Sequence, residues 1–170
     1  MLLKPVFKLL NALNTNVKKS QLAAGFAWGV VLGLIPIGNI FWILIFLMTF
    51  FFRHNHGTKL LAMTITIILS PIFVYTIDWF GWEILNYEAL RPTFTSLYNM
   101  PFVPFTNFNN TLVMGGLVGG LILWIPVFLI IMAIITIYRK VLGPKIRSIK
   151  VFQFIANFSL FRLFNRTLTK

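Results

Sequence analysis

Few side chains in this sequence could do chemistry, and their spacing limits what kind. The carboxylates are three, Asp78, Glu83 and Glu88, all in one stretch. The two histidines stand in Arg53-His54-Asn55-His56-Gly57-Thr58-Lys59, with no Cys, Asp or Glu beside them. Two imidazoles fill half of a tetrahedral zinc shell, so this spacing defines no metal site and reads as a polar turn. A nucleophile, base and acid relay needs its members in hydrogen-bond contact, and a long apolar run separates these histidines from the acids. Phosphate-loop and dinucleotide signatures are absent, and a chain without cysteine has no thiol chemistry. The expectation is a protein that is not an enzyme and takes no cofactor.

Two isolated polar residues remain as candidates. Asp78 is the one acid inside an apolar run, where an ionisable group is by default a proton or cation site. Its neighbours Trp79, Gly81 and Trp82 place it near the end of that run, where water reaches it. Asn39 lies in Ile35-Pro36-Ile37-Gly38-Asn39, where a backbone broken inside a membrane can offer polar groups to a ligand. An asparagine there serves equally well as the cap of the following helix.

The element that carries Asn39 is the longest uncharged stretch in the chain. Gln21 to Phe52 is 32 residues without a charged side chain, beyond the roughly 18 apolar residues that mark a transmembrane candidate. Pro36 has no N–H and Gly38-Asn39 adds turn character, so the run divides into two helices, the first capped by Ser20. The halves come to about 24 Å and 20 Å, each short of a hydrocarbon core of about 30 Å. They form a re-entrant hairpin or two very short spans. Two further membrane helices follow, residues 59–80, kinked at Ser70-Pro71, and residues 112–138, long enough that they must tilt or break, with Pro126 as the place for a break. Gly57 reads as the end of one helix and Thr58 as the cap of the next.

Residues 81–110, with prolines at 92, 101 and 104, form an external cap, partly helical over 84–99. Residues 1–19 and 141–170 place apolar and basic side chains as amphipathic helices on a membrane surface do. The fold class is therefore an all-α integral membrane protein, one membrane domain over 1–170 with its core at 20–140. A hydrophobic share of 58% agrees with that class. The formal charge of +12 sits in short blocks beside apolar segments, which points to membrane placement and away from nucleic acid. With 21–52 entering and returning, 14 of the 15 Lys and Arg fall on one side and only Arg91 joins the three acids opposite. Both termini are then cytoplasmic, and the basic tail faces the anionic inner leaflet.

Small residues mark the helix faces. Gly25, Gly29 and Gly33 recur every four residues, and so do Gly115 and Gly119. A shift of 90 positions lays Gly25, Gly29, Ile35, Pro36 and Ile40 on Gly115, Gly119, Ile125, Pro126 and Ile130. Glycine faces let helix backbones approach closely, and repeated broken helices also frame the sites of some transporters.

The stretch Ala24-Gly25-Phe26-Ala27-Trp28-Gly29-Val30-Val31-Leu32-Gly33-Leu34-Ile35-Pro36-Ile37-Gly38-Asn39, followed by an apolar helix and Arg53-His54-Asn55, resembles the bacterial membrane proteins grouped as domain of unknown function 2062. Phe108-Asn109-Asn110-Thr111, leading into a glycine-rich helix, is similar to a longer branch of that family. The resemblance covers about residues 18 to 140. It implies the bacterial inner membrane and no established activity. The leading expectation is a non-enzymatic membrane subunit that docks a larger envelope protein through its glycine faces. The alternative is a small transporter or lipid translocase with a site at the broken helices around Pro36, Asn39 and Pro126.

Overall fold

The structure, a computed structural model, describes residues 17–142. Of the amphipathic segments expected at 1–19 and 141–170, residues 1–16 and 143–170 lie outside them. The chain divides into two compact units, residues 1–132 and 133–170, and the packing described below is that of the first.

In chain order the elements are α1 (Lys19–Leu34), α2 (Ile40–Met48) with a 3-10 turn at Thr49–Phe51, and α3 (His56–Leu69). A 3-10 turn at Ser70–Phe73 leads into α4 (Val74–Asn86), then come α5 (Arg91–Tyr98), a 3-10 turn at Val103–Thr106, α6 (Thr111–Ile137) and a π-helical turn at Tyr138–Leu142. Because α3 and α4 run on through their connecting turn, the described residues form five helices and an all-α fold. His56–Asn86 and Thr111–Val141 are each 31 residues long and, by length and composition, apolar enough to cross a membrane. Only 6% and 11% of their apolar windows is buried within the fold, whereas the core helix of a soluble protein would be mostly covered.

The break between α1 and α2 follows from three residues. Pro36 pushes Ile35 into extended backbone, which ends α1. Gly38 takes φ +100°, a conformation that side-chain-bearing residues rarely adopt. Asn39 then caps α2: its Oδ1 accepts from the Trp42 N–H at 2.7 Å, and its amide donates to the Pro36 carbonyl at 2.8 Å. The Trp42 Nε1 donates to the Leu32 carbonyl at 2.9 Å, which ties α2 back onto α1. The chain thus makes a hairpin whose two ends meet, since the Asn55 N–H donates to the Gln21 carbonyl at 2.9 Å. Near the tip, α2 packs beside the Val103–Thr106 turn of the cap.

Helix α3 runs alongside α1 in the same direction and packs along most of its length. Helix α6 returns antiparallel to α1, with Gly116 against Leu34 and Ile35, and Gly120 against Val31. Val31, Ile35 and Val113 form the buried centre, and Trp28, Trp42, Leu117 and Trp124 close around it.

Four expectations change. The residue before α1 is Lys18, with no side-chain cap, and Ser20 lies inside the helix. Helix α3 begins at His56, because the Asn55 side chain accepts from the Thr58 N–H at 2.9 Å. Asn55 is therefore the cap, and Gly57 and Thr58 belong to the first turn. Helix α4 continues past Phe80 to Asn86. Pro126 does not break α6, which is helical from Thr111 to Ile137. A proline removes one hydrogen bond from the helix ladder, but long helical arms flank it here, and Trp124 and Phe128 stack across it with ring centroids 5.3 Å apart.

Candidate functional site

The glycine faces are occupied by the chain's own helices. A Cβ on Gly25 would meet the Asn55 carbonyl oxygen and the Thr58 hydroxyl; one on Gly29 would lie 2.6 Å from the Ala62 Cβ, and one on Gly33 2.5 Å from the Thr66 Cβ. All three glycines bring α1 onto α3. Gly115 faces α4, where its Cβ would lie 3.0 Å from the Gly81 nitrogen, while Gly119 meets only the Phe80 ring, at 3.6 Å. Both ladders therefore pack on the same helical rod, Gly25, Gly29 and Gly33 on its first half and Gly115 on its second. At Gly25, Gly29, Gly33 and Gly115 that arrangement leaves no room for a partner's backbone, whereas Gly119 is half-buried and keeps only ordinary contact with the Phe80 ring. Gly81 and Gly116 make equally close approaches, and Gly120 a looser one, where a Cβ would lie 3.2 Å from the Val31 Cα; none of the three was singled out by the spacing of four.

The hairpin tip has no free polar group at Asn39. Its oxygen and amide are both engaged in the turn, and the side chain is buried. Beside the tip lies an apolar cavity of about 270 Å³, lined by Gly33, Pro36, Ile67, Ser70, Pro71 and Leu112. Asp78 is exposed and accepts a hydrogen bond from the Thr111 hydroxyl, so it clamps α4 to the start of α6. The Phe108-Asn109-Asn110-Thr111 motif has a local physical reason. Asn110 caps α6 through its Oδ1, which accepts from the Leu112 and Val113 N–H groups at 3.0 and 3.2 Å. Phe108 is buried, with its ring 6.1 Å from that of Phe94 in the cap, and Asn109 is exposed.

The densest polar cluster sits where the hairpin ends. Lys59 is 0% exposed, and its Nζ donates to the Thr49 Oγ1 at 2.8 Å. The same ammonium lies 4.6 Å from the Phe46 ring centroid and 4.2 Å from that of Phe50, within cation–π range. His54 is 8% exposed, its ring is 4.6 Å from that of His56, and neither of its nitrogens has a hydrogen-bond partner. Burial, first, and then the charges of His56 and Lys59 lower its pKa to about 4. The nearby Phe52 carbonyl works the other way without reaching hydrogen-bonding geometry. Sequence reasoning placed His54 and Lys59 in a polar turn between helices. Their burial depends on α2 returning Phe46, Thr49 and Phe50 to the start of α3, a contact that no local spacing announces.

Fold and geometry together define a helical protein with two helices of membrane-crossing length. The chain belongs to the family described as "Uncharacterized protein conserved in bacteria (DUF2062)", whose model matches residues 4–141. It is also similar to an uncharacterized protein of Treponema pallidum (strain Nichols), with 31% identity over 156 residues, 92% of this chain and 96% of the relative. No solved structure matches.

Proposed function

We propose that this protein is a non-enzymatic subunit of the bacterial inner membrane, and that it docks a larger envelope protein through its external cap. Residues 21–52 enter and return as two short spans, α3 with α4 crosses outward, and α6 crosses back. The bond between Gln21 and Asn55 supports this arrangement, because it holds both basic-flanked ends of the hairpin at one level. With Gly25, Gly29, Gly33 and Gly115 filled by the chain's own helices, a partner finds its purchase elsewhere. The observation that carries the reading is Phe102, which is 81% exposed and held at φ 71°. A bulky residue in left-handed backbone stores strain of about 1–3 kcal/mol, and such strain persists where a surface is shaped for use. Phe105, 66% exposed, stands in the turn that follows.

A tagged protein purified from native membranes should carry a stoichiometric partner, and the double change Phe102→Ser, Phe105→Ser should release it while insertion is unchanged. If no partner co-purifies, or if the double variant retains it, docking through the cap is wrong. A second reading, a lipid translocase, is favoured by the apolar cavity beside the tip, which suits an acyl chain. Liposomes holding the purified protein would then exchange labelled lipid between leaflets faster than protein-free liposomes, and equal rates would dismiss it.

A further inference from the structure

We propose that the Lys59 cluster is a binding site for the phosphate group of an anionic ligand. The argument starts from charge. Lys59 is completely buried, yet among the described residues the acids, Asp78, Glu83 and Glu88, stand on α4 and the segment after it. Asp78 is about 28 Å further along the rod. A buried ammonium without a counter-ion is strongly disfavoured. The two phenyl rings attract its charge without neutralising it, and the Thr49 hydroxyl engages one of its three N–H donors.

His54 makes the second, independent observation. It is more than nine-tenths buried beside this ammonium, and both ring nitrogens lack a partner. A buried polar group left unpaired is destabilising, so the cluster is incomplete as it stands. One tetrahedral oxyanion answers the first problem and half of the second: its charge neutralises Lys59, and its oxygens accept from the remaining ammonium N–H groups and from the one N–H of the neutral imidazole. The site lies at the start of α3, whose positive dipole end adds to the attraction. The donors come from different segments and do not form the planar fork that matches a carboxylate, which favours phosphate.

Phe50 and His56, next to Lys59 and His54 respectively, are both exposed, and their rings stack 4.8 Å apart between centroids. Rotation of these side chains opens the way in, and exposed Arg53 adds a further cation beside it. In the proposed membrane arrangement the site lies at the cytoplasmic surface, where lipid phosphates are the densest anions. A free phosphate would satisfy the same donors.

The test is a thermal-unfolding series on the full chain, delipidated in neutral detergent, with phosphatidylglycerol, phosphatidylcholine or inorganic phosphate added. Phosphatidylglycerol should raise the unfolding midpoint by about 5 °C, with no comparable rise from phosphatidylcholine. Lys59→Met and His54→Phe should abolish the response. Protection by inorganic phosphate alone, lost in both variants, would support the site and assign it to a soluble ligand. Equal protection by both lipids, a response that survives the variants, or no response to any probe would overturn the proposal. Should Lys59→Met fail to fold, native mass spectrometry of the wild type and His54→Phe decides. At least tenfold preferential retention of phosphatidylglycerol over phosphatidylcholine is expected in the wild type alone, and no preference would overturn it.

Discussion

Two glycines of the same ladder make different demands. A methyl group on Gly115 would press on the Ile77 carbonyl and on the Gly81 backbone, which cannot move without separating α4 from α6. On Gly119 it would touch the Phe80 ring at an ordinary 3.6 Å, and alanine is better than glycine inside a helix by about 1 kcal/mol. Gly115→Ala should therefore lower the thermal midpoint by several degrees, while Gly119→Ala leaves it unchanged or slightly raised. His54 gives a second prediction. Its folded pKa, about 4, lies below the ordinary 6.5, so between these values the unfolded chain takes up a proton that the folded chain refuses. Stability is then full above about pH 6.5, falls as pH drops toward about 4, and levels off below, a loss on the order of 3 kcal/mol at most. A midpoint series across that range, in lipid-free detergent, should show the slope in the wild type and a flatter curve in His54→Phe.

At the level of elements, the α1–α2 hairpin depends on a short set of bonds rather than on a long interface. Asn39 supplies both the cap of α2 and the tie to Pro36, so Asn39→Leu should cost about 1–2 kcal/mol in thermal unfolding. Asn39→Asp keeps the acceptor for the Trp42 N–H and loses only the amide donor, and its cost should be about half as large. A role at the tip confined to structure predicts that both variants capture the same partner as the wild type. At Ser70-Pro71, where a kink was expected, the helix passes into a 3-10 turn that joins α3 to α4.

For the whole molecule, the arrangement in the membrane can be read by labelling single cysteines in this cysteine-free chain. Arg53 and Ser96 are exposed and suit the purpose, whereas Asn55 does not, because it caps α3. An impermeant thiol reagent on intact cells should label Ser96→Cys and leave Arg53→Cys and Asn16→Cys untouched. If Arg53→Cys is labelled and Asn16→Cys is not, residues 21–52 cross once, and the phosphate site would face the wrong side for cytoplasmic lipid.

Local chemistry alone determined a good deal. An uncharged run too long for one span, a proline that has no N–H to give, and a glycine-asparagine pair behind it dictate two helices and a turn at Pro36. The family was legible in the same residues, since the glycine ladder and Phe108-Asn109-Asn110-Thr111 are local patterns. Asn110 shows why the second pattern exists, as an N-cap satisfies donors within the next three residues and needs no distant partner. What each glycine touches was not legible, because spacing names a helix face and not its occupant. Gly116 and Gly120 sit one residue beyond the ladder, on the face turned to α1, and Gly81 stands alone in its helix. Only tertiary structure decided these, and it decided Lys59 in the same way. A lysine next to a polar turn reads as solvated until α2 folds back and encloses it with Thr49, Phe46 and Phe50. Burial is a property of two segments brought together, and the sequence of either one does not contain it.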